Sequence, residues 1–274
     1  MKVPVPARLR RKRPATLKAH YDEHRVATPL VELLSDGDLA RLNELLPWHC
    51  FTVDASGRPF GAAAWSGKRD TPQLIPDRRI ELMDERFGLA GRHVLEIGCF
   101  EGVHTIALCD RAGRVTAIDG RIENVVKTIV RCAMFERRPT VFVCDLEQPD
   151  PAQEERMRAE LCHHMGVLYH LADPVTHLRQ LGGWVSRGLM LDTHYATPDD
   201  ADDSYAIDGR TFRCRSFGEA RADPFSGMLP TSRWILLDDM VELLGEAGFG
   251  AVDVAERRDE RNGPRLLLFA EKTR

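Results

Sequence analysis

The sequence predicts an α/β fold built on a doubly wound, seven-stranded sheet whose last strand is antiparallel. From Arg92 onward, short apolar runs alternate with segments of helical periodicity, which is typical of parallel strands joined by helices. The first run, "VLEIGCFEGVHT", passes through Gly98 and Gly102 before a helix begins. The last two runs, "AVDVAERR" and "RLLLFAEK", are separated by only "DERNGP", which indicates an antiparallel hairpin.

Each element has its own signal in the sequence. Short helices are predicted at 154–158 and 174–181, and Asp173 is a candidate N-cap for the second. Gly248 can take the left-handed conformation that ends the last helix. The predicted parallel strands are "HVLEIGC", "RVTAIDG", "TVFVCDL", "LCHHMG" and "GLMLDTHY". The remaining predicted helices are "PDRRIELMDERFGL", 103–112, 123–135 and the segment that begins near residue 237.

Length and composition are those of an ordinary globular protein. The chain has 274 residues, of which 43% are hydrophobic and 29% are charged, and its net charge of -4 disfavours a large nucleic-acid surface. No run is long and apolar enough to span a bilayer, and the basic N-terminus has no apolar signal core, so we expect a cytoplasmic protein without membrane contact. Seven cysteines without a C-x-x-C pair indicate reduced thiols.

Three regions follow from the composition. Residues 1–16 are rich in arginine, lysine and proline and are predicted to be a disordered basic arm. Residues 17–76 hold two short helices and an aromatic, glycine-containing loop, which we expect to form a cap over the substrate. Residues 77–274 form the main domain, and its polar insertion at 195–233 is expected to be a lid or disordered.

The turn after the first strand restricts the class of ligand that can bind there. Ligands of an open parallel sheet bind beyond the carboxyl ends of the strands. Cys99 and Phe100 follow Gly98, so the middle glycine of a dinucleotide motif is missing, and no P-loop lysine follows. Asp119 ends the second strand about 20 residues later, where an acid can accept both hydroxyls of a ribose. Asp145 ends the third strand, where it can accept from an adenine amine.

Two further acids give this turn a preference for positive charge. Glu96 and Glu101 lie close to the glycines, where they would attract an amino group or a cation, and Leu146 would lie against the adenine ring. These residues describe an adenosyl ligand with a positive end and no phosphates, and S-adenosyl-L-methionine (SAM) has that shape and charge. The alternatives are that Asp119 caps a helix, that Asp145 holds a turn and that Glu101 is a surface charge.

Four segments resemble the ordered motifs of the class I SAM-dependent methyltransferases: "VLEIGCFEGVHT", "VTAIDGR", "VFVCDLEQ" and "MGVLYHLADPVTHL". The resemblance runs from about Asp77 to the C-terminus and implies a Rossmann-like fold. "MGVLYHLADP", with the earlier "LPW", is similar to the subgroup of the tRNA wobble-uridine carboxymethyltransferase and its small-molecule relatives. The sequence departs from the family at His163 and His164, where an acid or asparagine is common. The implied SAM contacts are Glu96, Gly98, Glu101, Gly102, Asp119, Gly120, Asp145, Leu146, Met165 and Gly166.

Methyl transfer from a sulfonium needs an aligned acceptor, and an alcohol acceptor also needs a base. His194, at the end of the fifth strand, is the first candidate base, and His170, after the fourth, is the second. Asp192 would orient His194 or bind acceptor hydroxyls. The predicted substrate contacts are Tyr169, Tyr195, Arg233 and Trp234, with Arg233 meeting an anionic group. Arg121 is expected to be solvated.

No metal site is predicted. Five histidines lie between His163 and His194, but their spacing forms no zinc motif. A divalent metal is compatible with the resemblance, because some sugar methyltransferases use one.

Three functions stay open at this stage. The first is methyl transfer to oxygen or nitrogen of a small molecule, such as a natural product, sugar or sugar acid. The second is tRNA modification, favoured by the subgroup resemblance and by the basic arm. The third is SAM binding without transfer. We expect a small-molecule acceptor as partner; nucleic acid is disfavoured, and a homodimer is left open.

Overall fold

The computed structural model describes residues 23–61 and 71–273. The predicted basic arm and the aromatic residue Trp65 of the predicted cap therefore lie outside the described residues. The chain divides into two compact units, of which the first ends at Leu74 and the second begins at Ile75. Among the described helices, none is long and apolar enough to cross a membrane.

The first unit contains two short helices and a hairpin. Ser35 caps the second helix, because its hydroxyl oxygen accepts from the backbone N–H of Asp38 at 3.1 Å. Arg58 ties the hairpin to the helices, with Nε 2.8 Å from Asp54 and its guanidinium donating to the carbonyl of Val31. These elements are α1 (Pro29–Glu32), α2 (Asp36–Leu45), β1 (Phe51–Val53) and β2 (Pro59–Gly61).

The second unit is built on a seven-stranded sheet. Its strands are β3 (His93–Ile97), β4 (Arg114–Asp119), β5 (Thr140–Val143), β6 (Ala159–Met165), β7 (Val185–His194), β11 (Phe249–Glu260) and β12 (Gly263–Lys272). They lie side by side in the order β11-β12-β7-β6-β3-β4-β5. Its helices are α3 (Arg78–Phe87), α4 (Val103–Cys109), α5 (Ile122–Met134), α6 (Pro151–Met157), α7 (Pro174–Trp184) and α8 (Leu237–Glu246). Strand β12 is antiparallel to both of its neighbours, whereas β3 to β7 are parallel. The predicted fold class is confirmed.

Two apolar clusters cover the two faces of this sheet. On one face, α3 buries Ile80, Met83 and Phe87, which recur at helical spacing, against Val94 of β3 and other apolar residues. On the other face, α7 and α8 pack their leucines against β6, β7 and β12. Helices on both faces leave the carboxyl ends of the parallel strands as the open edge of the domain.

The insertion after β7 is folded rather than irregular. It contains a three-stranded antiparallel sheet, made of β8 (Asp203–Ile207), β9 (Arg210–Gly218) and β10 (Thr231–Ile235). Asp208 and Gly209 connect β8 to β9 with φ angles of 51° and 77°, as a two-residue type I′ turn requires. The Asp-Gly pair and the alternation in "TFRCRSF" are hairpin signals that the sequence analysis missed.

Gly209→Ala tests this turn. We expect the free energy of unfolding to fall by about 1 kcal/mol, because a side chain disfavours positive φ although no heavy atom lies within 4 Å of the added Cβ. Gly218→Ala is the matched control, since its added Cβ is equally open. Urea denaturation measures both, and equal effects at the two positions would contradict the turn assignment.

Candidate functional site

The turn between β3 and α4 is held close to the ends of two strands. Gly98 and Gly102 have φ angles of 80° and 81°, and the N–H groups of Gly98 and Cys99 donate to the carbonyl of Ile118 at the end of β4. A Cβ on Gly98 would lie 2.3 Å from Val167 Cγ2, just beyond β6. Neither the conformation nor the space admits a side chain at Gly98.

Asp119 ends β4 beside this turn, as predicted. Its Oδ2 accepts from the N–H of Phe100 at 3.0 Å, and its Oδ1 accepts from the N–H of Arg121 at 2.9 Å and from Asn124 at 3.0 Å. Burial raises the pKa of Asp119 overall, although these hydrogen bonds oppose the shift. A carboxylate accepts about four hydrogen bonds, so the protein leaves room for about one more donor rather than two.

Glu96 and Glu101 have different surroundings. Glu96 is buried and accepts from Thr105 Oγ1 at 2.5 Å, and burial raises its pKa to about 8 despite that hydrogen bond. The carboxylate of Glu101 lies 2.9 Å from Lys127 Nζ and 3.8 Å from Arg131 Nη2, and all three side chains are buried. Glu101 is therefore not a surface charge, because the buried cations of α5 engage its carboxylate; its attraction of the ligand stays a prediction.

At the end of β5, Asp145 holds a turn. Its Oδ1 accepts from the N–H of Glu147 at 3.0 Å, which is the alternative left open for it, and Leu146 packs against the apolar core. Glu147 in turn accepts from the backbone of Ala172 and Asp173, beyond β6. The ends of β5 and β6 are thus joined through one carboxylate.

Beyond β6, Gly166 lies beneath two polar groups. Its φ angle is 72°, and its N–H donates to the carbonyl of Asp192 at 3.0 Å. A Cβ at this position would lie 3.7 Å from Tyr169 Oη and 3.9 Å from Arg265 Nη2. Met165, Gly166 and Tyr169 are therefore at the open edge where the sequence analysis placed them.

His170, in the 3-10 turn Leu168–His170, is paired with a carboxylate from the insertion. Its Nδ1 lies 2.9 Å from Glu219 Oε1. Glu219 also accepts from the N–H of Gly227 at 2.7 Å and from the hydroxyl of Ser226. Burial alone would raise the pKa of Glu219, but its hydrogen bonds outweigh burial and hold the pKa at about 2, so it is an anion at neutral pH. Sequence reasoning missed Glu219, which lies 49 residues beyond His170.

His194 is more enclosed than His170. Its ring stacks on Trp234 with centroids 4.6 Å apart and planes inclined by 8°, and its edge faces Tyr169. Nδ1 lies 3.0 Å from the carbonyl of Pro264, and burial lowers the pKa of His194, which keeps the ring neutral. Trp234 donates to the carbonyl of Tyr169 at 3.0 Å, so these three predicted residues meet. Tyr195 is partly buried against the core.

Asp192 does not orient His194. Its buried carboxylate lies 2.8 Å from Arg258 Nη2 and 3.8 Å from Arg79 Nη1, and it also accepts from Arg265. Three guanidinium groups converge on its carboxylate instead, and the alternative that Asp192 binds acceptor hydroxyls stays a prediction.

Arg233 is likewise held by the protein. Its side chain donates to the carbonyl of Ala172, and its guanidinium lies 4.6 Å from the ring centroid of Tyr205. Its backbone N–H donates to Leu171 at 2.9 Å. These contacts hold Arg233 between β10 and the loop after β6, and its contact with an anionic substrate group stays a prediction.

Arg121 is not solvated but anchors part of the insertion. Its guanidinium donates to the carbonyls of Arg221, Asp223, Ser226 and Gly227 at 2.6 to 3.2 Å. Beside it, the rings of Phe225 and Phe100 lie 5.3 Å apart, and a Cβ on Gly120 would lie 3.0 Å from Met228 Cγ. We name residues 219–228 the bridging segment, because it reaches from the end of β4 to His170.

The fold of this chain is similar to that of a solved structure. The N-terminal domain of EvdMO1, crystallised in the presence of SAH and D-fucose, has a TM-score of 0.67 and 22% identity, and the match covers 88% of this chain and 98% of that one. No protein-family model matches the chain.

Sequence relatives agree with this fold. The ubiquinone biosynthesis O-methyltransferase of Pseudomonas aeruginosa is 30% identical over 101 residues, 37% of this chain and 43% of the relative. The tRNA U34 carboxymethyltransferase of Glaesserella parasuis is 28% identical over 187 residues, 62% of this chain and 52% of the relative. The chain thus spans about half the length of these curated relatives. It has the fold of the class I SAM-dependent methyltransferases and is related to them in sequence.

Proposed function

We propose that this chain transfers a methyl group from SAM to an oxygen or nitrogen of a small molecule. The observation that carries the proposal is the His170–Glu219 pair, because it puts a base of fixed tautomer at the open edge that also holds the glycine turn and Asp119. The pair favours methyl transfer over SAM binding alone, because a base is needed only to accept a proton from the acceptor.

The cofactor would lie along the ends of β3 to β6. Asp119 and Gly120 would contact the ribose, with Asp119 accepting one hydroxyl directly. The close approach of Gly98 to β6 leaves backbone groups to meet the methionine part of SAM, next to Met165 and Gly166. The other proposed cofactor contacts are Glu96, Gly102, Asp145 and Leu146.

SAM held at Asp119 and Gly120 would supply an electrophilic methyl group to the acceptor oxygen and would leave as S-adenosyl-L-homocysteine. The acceptor proton goes to His170 Nε2, since Nδ1–H donates to Glu219, and later passes to water. Tyr169 and Trp234 would form the wall against which the acceptor lies, with His194 behind them.

Two acceptor classes are worth testing first. The structural neighbour crystallised with D-fucose favours a sugar or another polyhydroxylated small molecule. The match to a tRNA U34 carboxymethyltransferase covers more of this chain than the match to the O-methyltransferase, and it makes tRNA the second candidate.

The proposal is tested by incubating the protein with methyl-labelled SAM and an extract of its source cells. Label in small molecules that survives RNase treatment is the expected result. Label in RNA would replace the first candidate with the second, and deletion of residues 1–16 should then weaken the reaction. Measurable SAM binding without label in any fraction would contradict both acceptor classes. The assay is then repeated with a carboxylated SAM as donor. Absence of transfer from this donor as well would identify the protein as a non-catalytic SAM binder.

Asp119→Asn should weaken SAM binding by about 10-fold to 100-fold, because a hydrogen bond to a charged acceptor contributes about 1.5–3 kcal/mol. Isothermal titration calorimetry with SAM measures the change. Asp110→Asn is the control, since Asp110 pairs with Arg137 at the surface, away from the strand ends. Equal affinities for both variants would remove Asp119 from the proposed cofactor site.

A further inference from the structure

A second group of polar side chains lies behind the glycine turn, and the proposed methyl transfer does not use it as a group. Glu96 on β3 and His163 on β6 are partners in the parallel register of the sheet, and His104 stands on the first turn of α4 above them. One carboxylate oxygen and one ring nitrogen from each histidine all lie within 4.8 Å of one another.

Of these three residues, His163 is the one whose ring makes no hydrogen bond to the described residues. Its side chain is 1% exposed, and neither ring nitrogen has a hydrogen-bond partner among the described residues. The rings of His163 and His104 meet edge to face with centroids 5.3 Å apart. A buried imidazole without partners is unfavourable, because both of its nitrogens lose their hydrogen bonds to water. A bound cation would satisfy one of those nitrogens.

The surroundings of the other two residues suit metal ligands. Thr105 donates to Glu96 Oε2 and leaves Oε1 for a cation, while Asp77 Oδ2 lies 3.7 Å from His104 Nε2. Such outer partners orient ligating carboxylates and imidazoles in metal sites. The side chain of His104 is 19% exposed, which gives an ion a path from solvent and a place for a bound water.

We infer that Glu96, His104 and His163 bind one divalent transition-metal ion, with water completing its coordination. Two imidazoles and a carboxylate suit Zn²⁺, Co²⁺ or Fe²⁺ rather than Mg²⁺ or Ca²⁺, which prefer oxygen ligands. Ligand atoms in a tetrahedral zinc site lie about 3.3 Å apart, so binding would draw these three groups together from their 4.8 Å spread.

Metal content and spectroscopy test the site without any acceptor. The full chain, free of an affinity tag and treated with EDTA, is titrated with Co²⁺ and then with Zn²⁺. We expect about one equivalent of Co²⁺ with visible d–d absorption, displacement of that absorption by Zn²⁺, and a melting temperature that rises with Zn²⁺ concentration. Uptake well below one equivalent without a change in melting temperature would overturn the inference.

Variants locate the bound ion. His163→Phe should remove the Co²⁺ absorption, and His104→Asn should weaken Co²⁺ binding at least 10-fold. His93→Gln is the control, because His93 lies at the other end of β3 and faces Thr116 at 2.9 Å. Circular dichroism checks that each variant is folded, and His104→Asn decides the question if His163→Phe does not fold. Unchanged Co²⁺ binding in the folded variants would also overturn the site.

Discussion

Glu101→Gln should lower the free energy of unfolding by about 3–5 kcal/mol, the range measured when one partner of a buried ion pair is removed. The side chain of Glu101 is fully buried, as is that of Arg131, and Lys127 is 2% exposed. The glutamine keeps the shape of the side chain but removes its charge, so two buried cations lose the anion beside them. Urea denaturation by circular dichroism gives the change.

The control for this prediction is Glu85→Gln on the exposed face of α3, for which we expect a change within about 0.5 kcal/mol. A double-mutant cycle with Lys127→Met separates the pair from other effects, and we expect a coupling energy above about 1 kcal/mol. A loss no larger than that of Glu85→Gln would mean that solvent reaches Glu101 and that the ion pairs contribute little.

Helix α5, which carries Lys127 and Arg131, shows that periodicity predicts the helix but not the face that is buried. The apolar spacing of α5 predicts a helix, and the structure has one at Ile122–Met134. Yet Ile122, Val126 and Ile129 are largely exposed, whereas Lys127 and Arg131 are buried against Glu101. Spacing reports which residues share a face, but a partner 26 residues earlier in the chain decides which face is buried.

The open edge of the sheet was predicted because it depends on local signals. Glycines and strand-ending acids mark the carboxyl ends of β3 and β4, and the topology then brings those ends together. The protein contacts of Glu101, Asp192 and Arg233 were not predicted, because these residues were assigned from their position in sequence alone. Their partners come from α5, from β11 and β12 and from the loop after β6, and the sequence gives no distance between these elements and the edge.

His170→Asn should lower kcat about 10²-fold to 10⁴-fold once the acceptor is identified, because this is the usual contribution of a general base. SAM affinity should change less than 3-fold, since the ring faces Glu219 rather than the strand ends that would hold the cofactor. His194→Asn is the comparison, because His194 was the first candidate from the sequence. A larger loss of kcat in His194→Asn would exchange the roles of the two histidines.

Glu219→Gln tests whether Glu219 positions the ring of His170 or only packs the bridging segment against it. A carboxylate fixes the tautomer and the orientation of His170, so the glutamine should reduce kcat. KM should change little, and Glu219→Asp should restore part of kcat. The anion itself also stabilises the fold: its folded pKa of about 2 lies below the unfolded value, so this contribution is present above about pH 4.5 and is lost as the pH falls towards 2. If Glu219 only held the bridging segment in place, kcat and KM would change together, and Glu219→Asp would restore neither.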